Sequence, residues 1–158
     1  MIAINEINEF KTRIESFFSS YGKYDSNLYW KGRVGLYAIL KALNIKEGDE
    51  IIIPAFTCIV VPNAIIYSGA VPIYSDISTP SYTIDINKIE EKITPKTRAI
   101  LAQNTFGLPP DLDSLKSIAK KYSLFLIEDC AHGFGSLYKN KLCGTFGDAA
   151  FFSTQWNK

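Results

Sequence analysis

Two kinds of apolar pattern alternate along the chain. Short apolar runs with strand composition are followed by segments in which apolar residues recur at helical spacing, and the connections carry Gly, Pro, Asn or Asp. This alternation is typical of a mostly parallel α/β sheet, whose strands are joined by crossover helices. The apolar runs fit strands that are covered on both faces. Strands are predicted at 50–55, 70–77, 98–103, 124–129 and 148–154.

The helical segments lie before and between these strands. An amphipathic helix is predicted from Ile4 to Ser19, and the residues on its apolar side are Ile7, Phe10, Ile14, Phe17 and Phe18. Residues 135–147 predict a short hairpin. Further helices are predicted at 34–43, 57–69, 87–93 and 111–123, the last with Asp111 or Asp113 as its N-cap.

The composition indicates a globular chain without a charged macromolecular partner. It is 47% hydrophobic and 21% charged, which is enough apolar material for a core of ordinary size. Lys and Arg number 17 against 16 Asp and Glu, and no dense basic cluster occurs. We therefore expect neither nucleic acid nor an anionic membrane surface as a partner.

No membrane-spanning or secretion segment is predicted. The longest apolar stretches, near 51–61 and 64–74, are interrupted by Pro54, Pro62 and Pro72, so they fall short of the roughly 20 residues that a spanning helix needs. The N-terminus lacks a basic start followed by an apolar run and a cleavage site. A cytoplasmic protein is the expectation.

The cysteines do not predict a disulfide framework or a metal site. Cys58, Cys130 and Cys143 are odd in number, widely spaced and without a CxxC pair. This pattern argues against a disulfide scaffold and against structural zinc. Each is best interpreted, taken alone, as a small apolar residue with a reduced thiol.

Polar side chains follow three of the predicted strands at the point where each strand ends. Ligands of open α/β sheets bind at these carboxyl ends, so the residues there are candidates for a site. They are Glu128, Asp129 and His132 after one strand, Ser153 and Lys158 after another, and Asn104 after a third.

Together these groups suit pyridoxal phosphate, which has a protonated ring nitrogen, a ring hydroxyl, a phosphate and an aldehyde. A fixed carboxylate such as Asp129 favours the charged ring nitrogen, which the ring needs to withdraw electrons. A lysine must be neutral to attack the aldehyde, and the apolar strand before Lys158 favours loss of its proton. The same lysine could then act as general base and acid.

Spacing alone leaves plainer interpretations open. Asp129 could cap a loop at a strand end, and His132 could be a loop histidine with satisfied hydrogen bonds. Lys158 could be an ordinary solvated lysine. A flavodoxin-like domain with a phosphate ligand is a further alternative, although neither GxGxxG nor GxxxxGK[ST] follows a strand.

Longer stretches of the sequence resemble a known family. They are GDEIIIPAFTCIVVPNAIIYSGAVPIYSDI, then YTIDINKIEEKITPKTRAIL, then IAKKYSLFLIEDCAHGFGSLYKNKLCGTFGDAAFFS. In order and spacing they are similar to the DegT/DnrJ/EryC1/StrS family of pyridoxal-phosphate-dependent sugar aminotransferases. The likeness covers Lys31 to Lys158, so we expect an N-terminal helix and lead-in over 1–30 and the N-terminal part of a cofactor-binding large domain over 31–158.

The resemblance implies a fold, an activity and a partner. The fold is a fold-type I aminotransferase large domain, a mostly parallel sheet with helices on both faces. The activity is transfer of an amino group, usually from glutamate, to a keto group of a nucleotide-linked sugar, in the synthesis of cell-surface polysaccharide or glycosylated metabolites. The enzyme is expected to be a homodimer with active sites at the interface.

The resemblance also assigns roles to four residues. Asp129 pairs with the pyridine nitrogen, and His132 lies beside the ring oxygen. Ser153 holds the phosphate, and Lys158 forms the Schiff base with the cofactor. Some relatives have histidine in place of this lysine and act as dehydratases, so Lys158 favours transamination.

Two positions depart from the family pattern. Gly32-Arg33-Val34-Gly35 stands where many relatives have Gly-Thr and a small residue. Backbone N–H groups at a helix start still favour phosphate, and Arg33 adds a charged donor. Cys58 stands where relatives often place an aromatic ring that stacks on the cofactor, and a thiol has no flat π face. Either Phe56 or another ring substitutes for it, or the packing differs.

The last residue of the chain is the predicted catalytic lysine. No closing helix follows the last predicted strand, so we expect that the sheet is unfinished, that the sequence is cut at Lys158 and that residues 1–158 alone are inactive. A rival hypothesis keeps the fold without the reaction: a catalytically inactive regulatory or assembly protein.

Overall fold

Five of the strands form one parallel sheet in the computed structural model, which describes residues 4–154. The strands of this range are β1 (Glu50–Pro54), β2 (Val71–Ser75), β3 (Thr97–Gln103), β4 (Phe125–Cys130), β5 (Leu137–Tyr138), β6 (Lys141–Leu142) and β7 (Ala149–Phe152). The sheet order is β2-β1-β3-β4-β7, and every neighbouring pair is parallel. The predicted parallel α/β architecture is confirmed.

The helices are α1 (Ile4–Phe18), α2 (Gly32–Ala42), α3 (Val60–Ser68) and α4 (Leu112–Tyr122). Their positions agree with the predicted ones to within three residues at each end. Gly69 ends α3 in the left-handed conformation, with φ of 93°, as its place after the last apolar residue indicated. Within residues 4–154, no helix combines the length and the apolar character needed to cross a membrane.

The helix predicted over 87–93 is wrong. Two single 3₁₀ turns occupy this stretch, Ile86–Lys88 and Glu90–Lys92. Seven residues are too few to repay the nucleation of an α-helix in isolation. The residue before Pro95 is also disfavoured in the helical conformation, and Ile93 is already extended.

The predicted hairpin of β5 and β6 is confirmed and contacts the start of α4. Lys139 and Asn140 both have positive φ, which is the geometry of a tight type I′ turn. The Tyr138 hydroxyl donates to Oδ1 of Asp111 at 2.7 Å. Asp111, not Asp113, caps α4 by accepting from the Ser114 N–H. Bonds from Tyr138 and Ser114 lower the pKa of the Asp111 carboxyl.

Alternate residues of the central strands enter two apolar layers. The layer that contains α2 and α3 receives Ile51, Ile53, Ala99, Leu101, Ile127 and Phe151. The layer that contains α4 receives Ile52, Ile100, Ala102, Leu126 and Cys130. Side chains alternate between the two faces of a strand, so successive residues enter different layers. Each layer contains helices, and both faces of the sheet are therefore covered, as predicted.

Only the end of α1 packs firmly within the described residues. Phe18 is buried and its ring lies 5.4 Å from that of Phe152, while Phe17 stacks on Phe134 at 5.5 Å. Ile7 and Phe10 are 42% and 47% exposed. The apolar side predicted for this helix is thus only partly covered by residues 4–154.

Glu128 fixes the turn that connects β6 to β7. This carboxylate is fully buried and accepts hydrogen bonds from the N–H groups of Gly144 at 2.7 Å, Phe146 at 2.7 Å and Gly147 at 2.8 Å. Its partners satisfy a buried charge that would otherwise be costly. Glu128 therefore has a structural role in this turn.

Glu128→Gln is expected to lower the free energy of unfolding by about 2 kcal/mol. One carboxylate oxygen, an acceptor, would be replaced by an amide N–H₂, a donor, which would then face a backbone N–H donor. Urea denaturation of both proteins measures the difference. Glu91→Gln, at an exposed position of the same charge, should change stability by less than about 0.5 kcal/mol. Equal stabilities of Glu128→Gln and the unmodified protein would contradict this role.

Candidate active site

Asp129 is the acid that faces the candidate site. It is buried, lies one residue after Glu128 and therefore points to the opposite face of β4, the face that carries Ile127 and the α2–α3 layer. Its Oδ1 accepts from the N–H of Ala131 at 2.9 Å. The two neighbouring carboxylates, which looked equivalent in the sequence, thus have separate surroundings.

The beginning of α2 lies against the end of β7. A Cβ built on Gly32 would be 3.6 Å from the carbonyl oxygen of Phe152 and 3.6 Å from Cβ of Ser153. Lys31 is the N-cap and makes no side-chain capping bond. The first N–H groups of a helix lack partners inside it and carry partial positive charge. The fold therefore brings Gly32 and Ser153 together at a position suited to an anion.

Arg33 lies in the first turn of α2 with an exposed side chain. The N–H groups of Val34 and Gly35 both donate to the carbonyl oxygen of Lys31, at 3.0 and 3.3 Å. The N–H groups of Gly32 and Arg33 precede these bonds in the helix. They are the backbone donors that a phosphate beside Ser153 could reach.

His132 lies at the surface in the turn after β4. Its ring stacks on that of Phe106, with centroids 5.9 Å apart and planes within 6°. Phe106 also lies 6.1 Å from Phe56, which in turn lies 5.8 Å from Tyr82. We call Phe56, Tyr82, Phe106 and His132 the aromatic surface group. The predicted role of His132 beside a ring oxygen stays a prediction.

Cys58 is exposed between β1 and α3, where the resemblance places a stacking aromatic ring. Phe56 belongs to the aromatic surface group and is 45% exposed. Cys130 and Cys143 are buried, and burial raises the pKa of both thiols. Cys58 is therefore the accessible thiol of the three.

Asn104 connects the end of β3 to the loop after β4. It is fully buried, and its backbone N–H donates to the carbonyl oxygen of Asp129 at 3.0 Å. Its side-chain Nδ2 donates to Sγ of Cys130 at 3.1 Å, and a Cβ on Gly133 would lie only 2.9 Å from Cβ of Asn104. Asn104 thus supports the segment between Asp129 and His132, a role that its spacing in the sequence did not indicate.

Gln103 is a buried residue that the sequence pattern did not single out. It pairs in register with Asp129 across β3 and β4, so the two side chains point to the same face. The signal available in the sequence was an amide at the end of an otherwise apolar strand. Lys158, the predicted reactive lysine, lies outside the described residues.

The fold is that of an α/β protein with a parallel sheet, and its candidate site combines a buried carboxylate at a strand end with a helix start beside a hydroxyl-bearing residue. The chain belongs to the DegT/DnrJ/EryC1/StrS aminotransferase family, whose sequence profile matches residues 9–158. This match agrees with the resemblance drawn from the motifs.

Individual relatives specify what the chain is similar to. GDP-perosamine synthase of Escherichia coli O157:H7 is 47% identical over 127 residues, which are 80% of this chain and 35% of that protein. A UDP-N-acetyl-3-dehydro-alpha-D-glucosamine 3-aminotransferase of Acidithiobacillus ferrooxidans is 40% identical over 77% of this chain and 33% of its own length. The crystal structure of NtdA from Bacillus subtilis, with bound cofactor PMP, matches with a TM-score of 0.79 and 32% identity over 90% of this chain and 31% of that one. The chain spans about a third of the length of these relatives.

Gly133→Ala is expected to destabilise the protein by about 1–3 kcal/mol, because the added methyl group would overlap Asn104 in a closed contact. Chemical denaturation measures the loss. Gly35→Ala is the matched control, since its methyl group would meet only Tyr29, at an ordinary 3.5 Å, and alanine favours a helix. Equal stability of the two variants would show that the Asn104–Gly133 contact is not restrictive.

Proposed function

We propose that the full-length protein to which this chain belongs is a pyridoxal-phosphate-dependent aminotransferase. It transfers an amino group, with glutamate as donor, to the keto group of a nucleotide-linked sugar. The observation that carries the proposal is the approach of the α2 start at Gly32 to Ser153, on a sheet whose neighbouring strand presents the buried carboxylate of Asp129. Membership of an aminotransferase family supports it.

The described residues fit the cofactor by the chemistry of their donors. The N–H groups of Gly32 and Arg33 and the hydroxyl of Ser153 would hold the phosphate, and the Arg33 side chain supplies a further charged donor. Asp129 would bind the protonated pyridine nitrogen, and His132 the ring oxygen. Cys58 would lie at the face of the ring, and Lys158 at the aldehyde.

Bound pyridoxal phosphate supplies an aldehyde that accepts the amino group and a ring that withdraws electrons from the reacting carbon. Asp129 would stabilise the positive ring nitrogen, because a buried carboxylate acts through a low dielectric. Nζ of Lys158, in its neutral form, would act as the general base that takes the proton from the carbon bearing the donor's amino group, and then as the general acid that returns a proton to complete the amino transfer. The α2 start and Ser153 would hold the phosphate and so would fix the cofactor in one orientation for this proton transfer.

The substrate class follows the names of the relatives. One is a synthase of a GDP-linked amino sugar and another aminates a UDP-linked keto-sugar, so a nucleotide-linked keto-sugar is the shared chemistry. A role in cell-surface polysaccharide or glycosylated-metabolite synthesis, a homodimeric state and a cytoplasmic location belong to the same proposal.

The reaction itself is tested with the full-length protein, pyridoxal phosphate, glutamate and a panel of GDP- and UDP-linked keto-sugars. We expect formation of one amino sugar with equal formation of 2-oxoglutarate, measured by mass spectrometry. Lys158→Ala should lower the rate by at least about 10²–10⁴-fold, since it removes the general base, while Lys120→Ala, at an exposed position on α4, should leave the rate unchanged. Cofactor binding without turnover on any sugar of the panel would favour the regulatory alternative.

Ser153→Ala is expected to weaken pyridoxal phosphate binding by about 10–100-fold, because a hydrogen bond to a charged phosphate is lost. The dissociation constant is measured by titrating the cofactor-free full-length protein and following the absorbance of the bound form. Ser117→Ala, exposed on α4, is the control and should leave the constant unchanged. An unaltered constant for Ser153→Ala would remove this hydroxyl from the phosphate site.

A further inference from the structure

The amide of Gln103 connects the end of β3 to the loop between β1 and α3 at the candidate site. Its Nε2 donates to the carbonyl oxygen of Phe56 at 3.2 Å and to Oγ1 of Thr105 at 3.0 Å. Its Oε1 accepts from Oγ1 of Thr57. Two of these three bonds go to the loop between β1 and α3, the loop that carries Cys58. The third goes to Thr105, two residues after β3 ends.

The orientation of this amide follows from its partners. A carbonyl oxygen accepts only, so the group that faces Phe56 must be the N–H₂. Oε1 then faces Thr57, whose hydroxyl donates. Because Gln103 is only 7% exposed, each lost bond would leave a polar group poorly solvated. The loop is thus held by a buried and directional contact.

The position of Gln103 relates this contact to the site. Gln103 pairs with Asp129, so their side chains are neighbours on one face of two adjacent strands, which lie roughly 4.8 Å apart. A ligand that Asp129 binds on this face of the sheet would therefore lie beside the β1–α3 loop, which Gln103 holds. Cys58 follows Thr57 directly in that loop.

We propose that Gln103 is a positioning residue that holds Phe56, Thr57 and Cys58 at the edge of the cofactor site beside Asp129. The inference rests on the proposed function, because the cofactor is the group that the loop meets. Gln103 acts through the loop backbone and the Thr57 hydroxyl, and has no chemical step of its own. A loosened loop gives the exposed Cys58 thiol more freedom to meet a reagent and contacts the cofactor less.

Cys58 gives a direct measure of the loop in the cofactor-free full-length protein. It is exposed, whereas burial raises the pKa of Cys143 to about 11 and that of Cys130 above its usual range, so both react slowly. The rate of Cys58 alkylation by iodoacetamide, followed on its peptide by mass spectrometry, reports the freedom of the loop. Added pyridoxal phosphate should slow this alkylation.

Gln103→Met keeps the size of the side chain and removes all three bonds. We expect Cys58 to react about 5-fold faster than in the unmodified protein. We also expect pyridoxal phosphate to bind about 5–10-fold more weakly, because two of the lost hydrogen bonds hold the loop. Thr57→Val should reproduce both changes, because it removes the loop's donor to Oε1. It also replaces Gln103→Met should that variant fail to fold.

Thr105→Val is the matched control. It removes a hydrogen bond of the same amide but leaves both bonds to the loop in place. We expect it to lower stability while Cys58 reactivity and cofactor affinity stay within about twofold of the unmodified protein. Equal effects of Thr105→Val and Thr57→Val would reduce Gln103 to a general contribution to stability and overturn the inference.

The outcomes separate this inference from the proposed function. An unmodified full-length protein that does not bind pyridoxal phosphate refutes the proposed function, and with it the inference. If the unmodified protein binds the cofactor while Gln103→Met and Thr57→Val keep its affinity and its Cys58 reactivity, the inference alone is wrong. Faster alkylation with unchanged cofactor affinity would also overturn it, because the loop would then not meet the cofactor.

Discussion

Two adjacent buried carboxylates at the end of β4 must point to opposite faces of a sheet that is covered on both sides. Both are buried, so each needs hydrogen-bond donors from its own layer. Glu128 finds three backbone N–H groups in the turn before β7. Asp129 accepts from the N–H of Ala131 on the other face. The side-chain period of two therefore separates Glu128, which holds a turn, from Asp129, which lies in the layer of the candidate site.

The candidate site depends on a second constraint, a contact between two residues that are far apart in the sequence. Gly32 begins α2, and Ser153 follows β7, the last strand. They meet because α2 packs on the sheet through Leu36 and Leu40, in the same layer as Phe151. The apolar layer thus sets where the helix start lies, and the polar group of Ser153 is added at the strand end. Stability of the core and geometry of the site are determined by the same packing.

The end of β3 extends this arrangement to the loops. Gln103 and Asn104 are consecutive and buried. Gln103 holds the loop after β1, while Asn104 bonds the end of β4 at Cys130 and packs against Gly133 in the loop that follows. Loops that carry functional residues need such support, because loops are otherwise the most mobile part of an α/β fold. The central strand therefore positions residues from its two neighbours, β1 and β4.

The sequence by itself determined the order and type of the elements, because apolar periodicity is local and strong here. Four helices, the hairpin, the parallel strands and an N-cap of α4 at Asp111 or Asp113 follow from it, and so does the set of candidate residues at strand ends. It failed at 87–93, where a short apolar repeat before a proline forms two 3₁₀ turns. Asp129 was chosen from the sequence, but only the tertiary structure showed that Glu128 instead holds the turn before β7, what Asn104 and Gln103 contact, and that Gly32 lies beside Ser153. These features depend on contacts between residues far apart in the chain. A local sequence pattern does not indicate which distant side chains will come into contact.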